Sequence, residues 1–162
     1  MHRYGLNDYN NDLCLKPPLL LWIAMLYLSR GIVLFVLSAA GSLAALSSDT
    51  VTLLRGSLSP EMVIPSVIAA AVLCALVRRV PSASKPVRWI WTNGPFLLAA
   101  AALADLVLQL LNSPLLYGDA YDQSAWPLAA ATLDLYFLAY VFGSRRVRDV
   151  FADFPAPQGA AG

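Results

Sequence analysis

The chain has 162 residues, of which 59% are hydrophobic and 13% are charged, and its net charge at pH 7 is +1. Soluble domains are about 45–50% apolar and about 25% charged, so this composition excludes an ordinary soluble domain and predicts a membrane protein. Nucleic-acid binding needs a basic face, for which this charge gives no basis. The two cysteines, Cys14 and Cys74, lie in a polar arm and in an apolar segment, and we expect both to be free thiols.

Four apolar runs are long enough to cross a hydrocarbon core, which takes about 20 helical residues. After a polar N-terminal arm at 1–18, they lie at about 19–46, 58–77, 89–111 and 125–142. The first run is far longer than the apolar core of a signal peptide, so we expect it to remain as a helix. The second run is the shortest in its uninterrupted part and carries Pro65, so a re-entrant hairpin is the alternative there.

Positive charge separates the loops into two sets. The basic residues outside the runs are chiefly Arg78, Arg79, Lys85 and Arg88 in one loop and Arg145, Arg146 and Arg148 after the last run. The linker at 112–124 contains no Lys or Arg. Positive residues favour the cytoplasmic side, whereas a hairpin at 58–77 would place the strongest basic loop outside. We therefore predict an all-α polytopic membrane protein, a compact bundle of four transmembrane helices at 19–142 with both termini cytoplasmic.

The sequence after the last run predicts a short amphipathic helix at 143–155. Its apolar stripe consists of Val147, Val150, Phe151 and Phe154, and the arginines Arg145, Arg146 and Arg148 lie off that stripe. We expect this helix to lie on the inner leaflet, with its arginines near anionic lipids and with Phe151 and Phe154 in contact with the membrane. A disordered tail is the alternative, and residues 156–162 are expected to be disordered in either case.

Three ionisable residues fall inside the predicted spans: Arg30, Asp105 and Asp134. A charge at the bilayer centre costs about 2.5–3.5 kcal/mol on insertion scales, so such residues usually face the bundle interior and pair. If the helices are straight, counting 1.5 Å per residue places Arg30 and Asp134 at the most similar depths in the bilayer, which favours an Arg30–Asp134 pair. An arginine can also reach both carboxylates. Gln109 and Asn112 follow Asp105 at i+4 and i+7 and extend it into a polar stripe.

Each of these polar features has a structural and a functional interpretation. The charges are either a buried pair that fixes helix register, a proton, ion or anionic-ligand site, or a contact with a partner subunit. The stripe is either a set of interhelical hydrogen bonds or a shallow cleft open to the periplasm. Because His2 is the only histidine, the sequence predicts no metal site, no cofactor and no Ser-His-Asp triad.

Several longer segments resemble a known family. They are the arm NDYNNDLCLKPPLLLW leading into LYLSR, the Asp134 region LDLYFLAY and the closing SRRVRDVFADFP. Together they are similar to the YfeZ-like small bacterial inner-membrane proteins, domain of unknown function 2919, from about residue 8 to about 155. The resemblance implies a bacterial inner-membrane location and brings no chemistry with it.

Two function classes remain. The first is a non-enzymatic accessory or interaction subunit of a larger membrane complex, because no catalytic constellation is evident. The second is a small permease or ion-conducting subunit that uses Arg30, Asp105 and Asp134, and such a permease is expected to be a homo-oligomer.

Overall fold

The computed structural model describes residues 4–5, 8–9, 14–43, 49, 52, 62–111 and 126–155. Within these residues the chain contains seven helices and no strand, so the predicted all-α class is confirmed. The helices are α1 (Leu19–Leu28), α2 (Arg30–Leu43), α3 (Val63–Val77), α4 (Lys85–Thr92), α5 (Gly94–Leu111), α6 (Trp126–Gly143) and α7 (Arg145–Ala152). In the arm, an isolated antiparallel bridge joins Tyr9 to Leu15.

The first apolar run bends by 67° between α1 and α2. At the break, the Ser29 hydroxyl donates to the carbonyl of Leu26 at 3.2 Å, and Gly31 N–H donates to Ser66 Oγ at 3.0 Å. Serine and glycine at a helix break, with side chains inserted into the backbone ladder, are common causes of kinks. A Cβ on Gly31 would lie 2.8 Å from the Met62 carbonyl, so α2 can cross the start of α3 this closely only at a glycine. This bend corrects the prediction of one uninterrupted helix over 19–46.

The third run is also divided. Its predicted start at 89 falls within α4, and the long helix α5 begins at Gly94 after a break at Asn93. The Asn93 side chain donates to the Trp89 carbonyl at 2.9 Å, and Pro95 has no N–H to continue the ladder of α4. For the second run, residues 58–61 lie outside the described residues, and α3 covers the part that follows.

The interior is built around α3 and α5. α5 packs against α3 and α6, and α1 packs against α3 and α5. Three small buried residues, Ala69, Ala101 and Ala102, allow close contact between helices, as is common in membrane bundles. The fully buried apolar side chains of the described helices include Leu21, Met25, Leu28, Val72, Trp91, Leu98 and Val141.

The outer faces of the helices are apolar as well. Large exposed apolar side chains occur on every long helix, among them Phe35, Ile64, Phe96 and Leu128. Helices that are apolar on all sides are typical of membrane spans. By length and composition α5, with mean hydropathy 1.9, is able to cross a membrane, and the bent pair of α1 with α2 gives a second span if it is counted as one. α3 and the segment Leu128–Gly143 of α6 are apolar as well, but they are shorter than α5.

Candidate functional site

A buried charge cluster lies where the bend between α1 and α2 meets α5 and α6. It consists of Arg30 at the start of α2, Asp105 and Gln109 one turn apart on α5, and Asp134 in the middle of α6. Asp105 is 3% exposed and Asp134 is 1% exposed, so both carboxylates are cut off from solvent. The three charged residues predicted as a group are thus neighbours in space, together with the predicted Gln109.

Arg30 forms a direct ion pair with Asp105. The distance from Arg30 Nη2 to Asp105 Oδ2 is 2.6 Å, which is short even for a charge-assisted hydrogen bond. Arg30 Nη1 donates to the Tyr27 carbonyl at 3.2 Å, and the guanidinium carbon lies 4.3 Å from the centre of the Tyr27 ring. Tyr27 is held in turn by its hydroxyl, which donates to the Ala130 carbonyl on α6 at 3.3 Å. These contacts fix the guanidinium on three sides.

The pairing differs from the one that depth along the sequence favours. That argument selects Asp134 as the partner of Arg30, and it is wrong because it treats α1 and α2 as one straight helix. Because the chain bends by 67° immediately before Arg30, the depth of Arg30 in the membrane no longer follows from counting residues from Leu19. Asp134 forms no ion pair with Arg30 in the described residues and is hydrogen-bonded to Gln109.

Gln109 bridges the two carboxylates. Its Nε2 donates to Asp105 Oδ2 at 3.0 Å and to Asp134 Oδ2 at 2.7 Å, which uses both amide hydrogens. Asp134 Oδ1 and Gln109 Oε1 are buried without a hydrogen-bond partner in the part of the chain that the structure describes. Both of these atoms are acceptors, and no donor of the described residues reaches them. Asn112, the third member of the predicted stripe, lies outside the described residues.

A second polar cluster, the clasp, joins the two ends of the chain. Its centre is Arg79, which is 6% exposed and whose Nη1 donates to the Leu15 carbonyl at 3.0 Å. Arg79 Nη2 donates to the Asp153 carbonyl and lies 3.3 Å from Asp153 Oδ2, and that same carboxylate oxygen accepts from Leu15 N–H at 2.6 Å. The Arg79 guanidinium also lies 5.0 Å from the centre of the Trp91 ring. The arm, the loop after α3 and the segment after α7 therefore meet at one end of the bundle, the basal end.

Two further links extend the clasp along α7. Tyr4 donates its hydroxyl proton to Asp149 Oδ2 at 2.6 Å, and Arg146 Nη2 lies 2.8 Å from Asp8 Oδ1. The hydrogen bond from Arg146, followed by a backbone hydrogen bond from Gly5, holds the pKa of Asp8 below its ordinary value. Arg146, predicted to lie near lipid, thus contacts the arm.

The apolar stripe of α7 faces the bundle. Val147 and Val150 are fully buried and Phe151 is 3% exposed, with its ring centre 4.5 Å from that of Trp91. The prediction that Phe151 contacts the inner leaflet is therefore wrong, because the other helices supply the apolar surface that the stripe requires. Phe154 is partly buried beneath Arg88, whose guanidinium carbon lies 4.6 Å from the ring centre. Arg145 and Arg148 are exposed, and their predicted contact with anionic lipid stays a prediction.

Sequence reasoning missed Arg79 as a structural centre and treated it only as one charge of a basic loop. A signal was present: Arg79 follows the buried residues Val72, Ala75 and Leu76 at seven, four and three positions, so it continues the buried face of α3. Arg78, next to it, falls off that face and is exposed.

Comparison with known protein families gives a match over nearly the whole chain. The model of a family described as protein of unknown function (DUF2919) matches residues 4–153, which is nearly the whole chain. This confirms the resemblance to domain of unknown function 2919, while the narrower likeness to YfeZ-like proteins stays a prediction. No curated protein and no solved structure matches the chain.

Proposed function

The chain belongs to the DUF2919 family, whose description states no function, and we propose its function from its fold and its two polar clusters. We infer first that it is a multi-pass protein of the bacterial inner membrane with four crossings. Contacts at the basal end support this, because Arg79 binds both the arm and the segment after α7, and Arg88 donates to the Pro155 carbonyl. The chain therefore leaves the basal end through α1 and α2, returns through α3, leaves again through α5 and returns through α6.

Helix lengths are compatible with this path. α5 and α6 have 18 residues each, or about 27 Å at 1.5 Å per residue, against a hydrocarbon core of about 30 Å. α3 has 15 described helical residues, about 22 Å, and the span predicted for this run starts upstream of them, at about 58. Of the described basic residues, Arg79, Arg88 and Arg146 make contacts at the basal end, so by the positive-inside rule we propose that this end faces the cytoplasm together with both termini.

We further propose that the protein is a non-enzymatic accessory or interaction subunit of a membrane complex. The observation that carries this proposal is the clasp. Tyr4–Asp149, Asp8–Arg146 and Leu15–Asp153 link residues that lie 138 to 145 positions apart, so the basal surface is held in one shape before any partner binds. A preorganised surface loses less conformational entropy on association.

The exposed side of the basal end suits a partner of opposite charge. Arg78, Lys85, Arg145 and Arg148 are exposed there. In a membrane they lie at the height of the head groups, where each such charge near an anionic surface contributes about 1 kcal/mol. Anionic lipids and an acidic face of a larger complex are therefore the partners that we propose.

The experiment is affinity isolation of the full-length chain in mild detergent, with two matched variants. Arg79→Met breaks the clasp, whereas Arg78→Met removes an exposed charge from the neighbouring position. We expect a specific complex with the unaltered chain and with Arg78→Met, and loss of that complex with Arg79→Met while the variant remains in the membrane fraction. Isolation of the unaltered chain alone, or an intact complex with Arg79→Met, contradicts the proposal.

A second candidate function is supported by the charge cluster. One arginine and two aspartates leave one negative charge in excess when both carboxylates are ionised, which is more than a pair that only fixes helix register requires. Ionisable residues at depth often mark ion or proton pathways. A small ion-conducting subunit is the corresponding function. Reconstituted protein should then carry protons into liposomes in response to a pH gradient, and flux equal to that of empty liposomes rules this candidate out.

A further inference from the structure

We propose that Asp134 is a proton-binding site, that Asp105 is the permanent counter-ion of Arg30, and that Gln109 connects the two. This inference deepens the second candidate function, since it names the ion and the residue that receives it. Its test does not require conduction, so the two ideas can fail separately.

The two carboxylates have unequal surroundings, and this inequality assigns their roles. Asp105 Oδ2 accepts from both Arg30 at 2.6 Å and Gln109 at 3.0 Å, so its negative charge is neutralised by a guanidinium. Asp134 accepts a hydrogen bond from the neutral amide of Gln109 at 2.7 Å, has no ion pair with a cation of the described residues, and is the more deeply buried of the two. An isolated buried carboxylate avoids its desolvation cost by taking up a proton.

The hydrogen-bond inventory points to the same residue. Within the described part of the cluster, Arg30 Nη1, Arg30 Nη2 and Gln109 Nε2 each donate a hydrogen bond. Two buried acceptors, Asp134 Oδ1 and Gln109 Oε1, accept none. Protonation of Asp134 at Oδ1 turns one of these acceptors into an O–H donor and removes the excess negative charge at the same time. One proton therefore removes both the excess charge and one unpartnered carboxylate oxygen.

The charged and titratable groups around Asp134 are Tyr27 on α1, Arg30 on α2 and Asp105 on α5, which all interact with it electrostatically. Arg30 is already paired, and ionised Asp105 disfavours a second negative charge nearby. A metal cation is a poorer occupant than a proton, because hard cations require several oxygen ligands and only two unpartnered oxygens are present in the described cluster.

The test is infrared difference spectroscopy of the full-length protein in lipid nanodiscs across a pH titration. A protonated carboxylic acid gives a C=O stretching band separate from the bands of carboxylates and amides, and the band of an acid shifts in heavy water. We expect one such band from a buried acid at neutral pH that is lost in Asp134→Asn and retained in Asp8→Asn, which alters only a half-buried carboxylate of the clasp. Absence of the band in the unaltered protein, or a band that survives Asp134→Asn, overturns the inference, as does a band that sodium ions alone abolish at constant pH.

A stability measurement supplements the spectroscopy in case a variant folds poorly. Asparagine at 134 keeps an acceptor for Gln109 and adds N–H donors, so it imitates the protonated acid. We expect Asp134→Asn to be at least as stable to heat as the unaltered protein, and Asp105→Asn to be less stable because it removes the counter-ion of Arg30. Equal destabilisation by the two substitutions means that Asp134 is ionised in the folded protein, and it contradicts the proposed site.

Discussion

Removal of the Arg30 side chain in Arg30→Leu tests the pairing in the charge cluster. The substitution leaves Asp105, only 3% exposed, with a single hydrogen bond from Gln109 and no counter-ion. Loss of one partner of a buried pair costs about 3–5 kcal/mol. Because the Arg30 side chain is 20% exposed and water can reach it in part, the lower end of that range, about 3 kcal/mol, is the expected loss.

A second substitution separates the partners. In Arg30→Leu with Asp105→Leu, the orphaned carboxylate is gone, so much of the lost stability should return, as is found when buried pairs are replaced by apolar residues. Arg30→Leu with Asp134→Leu should recover less, because Asp105 then remains buried without its guanidinium.

The assay is the unfolding free energy of each purified variant in bicelles, together with its abundance in the membrane fraction. Additive effects of Arg30→Leu and Asp105→Leu, or a larger recovery with Asp134→Leu, refute the reasoning from the 2.6 Å contact. The first outcome means that Arg30 and Asp105 are not coupled, and the second means that depth along the helices predicts the partner better than the structure does.

Two further predictions concern the clasp and α7. A Cβ on Gly94 would lie 2.2 Å from the buried ring of Phe151, so Gly94→Ala should lower the free energy of unfolding by about 1–3 kcal/mol in a thermal assay. A Cβ on Gly143 meets nothing within 4 Å, so Gly143→Ala should leave the stability unchanged. Equal effects of the two substitutions contradict this packing. Since the pKa of Asp8 is lowered in the folded protein, its contact with Arg146 should contribute fully above the ordinary aspartate pKa of about 3.9 and disappear as the pH falls through the lowered pKa. Hydrogen exchange of the arm measured against pH should follow this loss, and Asp8→Asn should abolish it; a pH dependence that persists in Asp8→Asn contradicts the assignment.

Much of the helical architecture follows from the sequence because hydropathy reports which residues avoid water. The start of α6 at Trp126 lies close to the predicted start at 125, since an apolar run with clear polar borders has little freedom in where its helix begins. The bend at Ser29 does not follow from hydropathy, because both sides of it are apolar. It depends on Gly31 approaching Ser66 and the Met62 carbonyl, which lie more than 30 positions away.

The same limit applies to the polar sites. Their positions inside apolar runs identify Arg30, Asp105 and Asp134 as charges that require partners. Which of the two aspartates pairs with Arg30 depends on the geometry of the helices. For α7, the spacing of Val150 and Phe151 correctly predicts one apolar face, yet it does not distinguish a lipid surface from the Trp91 side chain that covers Phe151. An amphipathic pattern indicates that one face of a helix is buried, but it does not identify the surface that covers this face.

The most direct test of the four-crossing path is a set of alkaline phosphatase fusions, since this enzyme is active only outside the cytoplasm. Fusions after Asp119 should be active, because in the proposed path α5 leaves the basal end before this residue. Fusions after Lys85 and after Arg148 should be inactive, because both positions lie at the basal end with Arg79 and the arm. An active fusion after Lys85 means that the chain does not return through α3, and it contradicts the four-span arrangement.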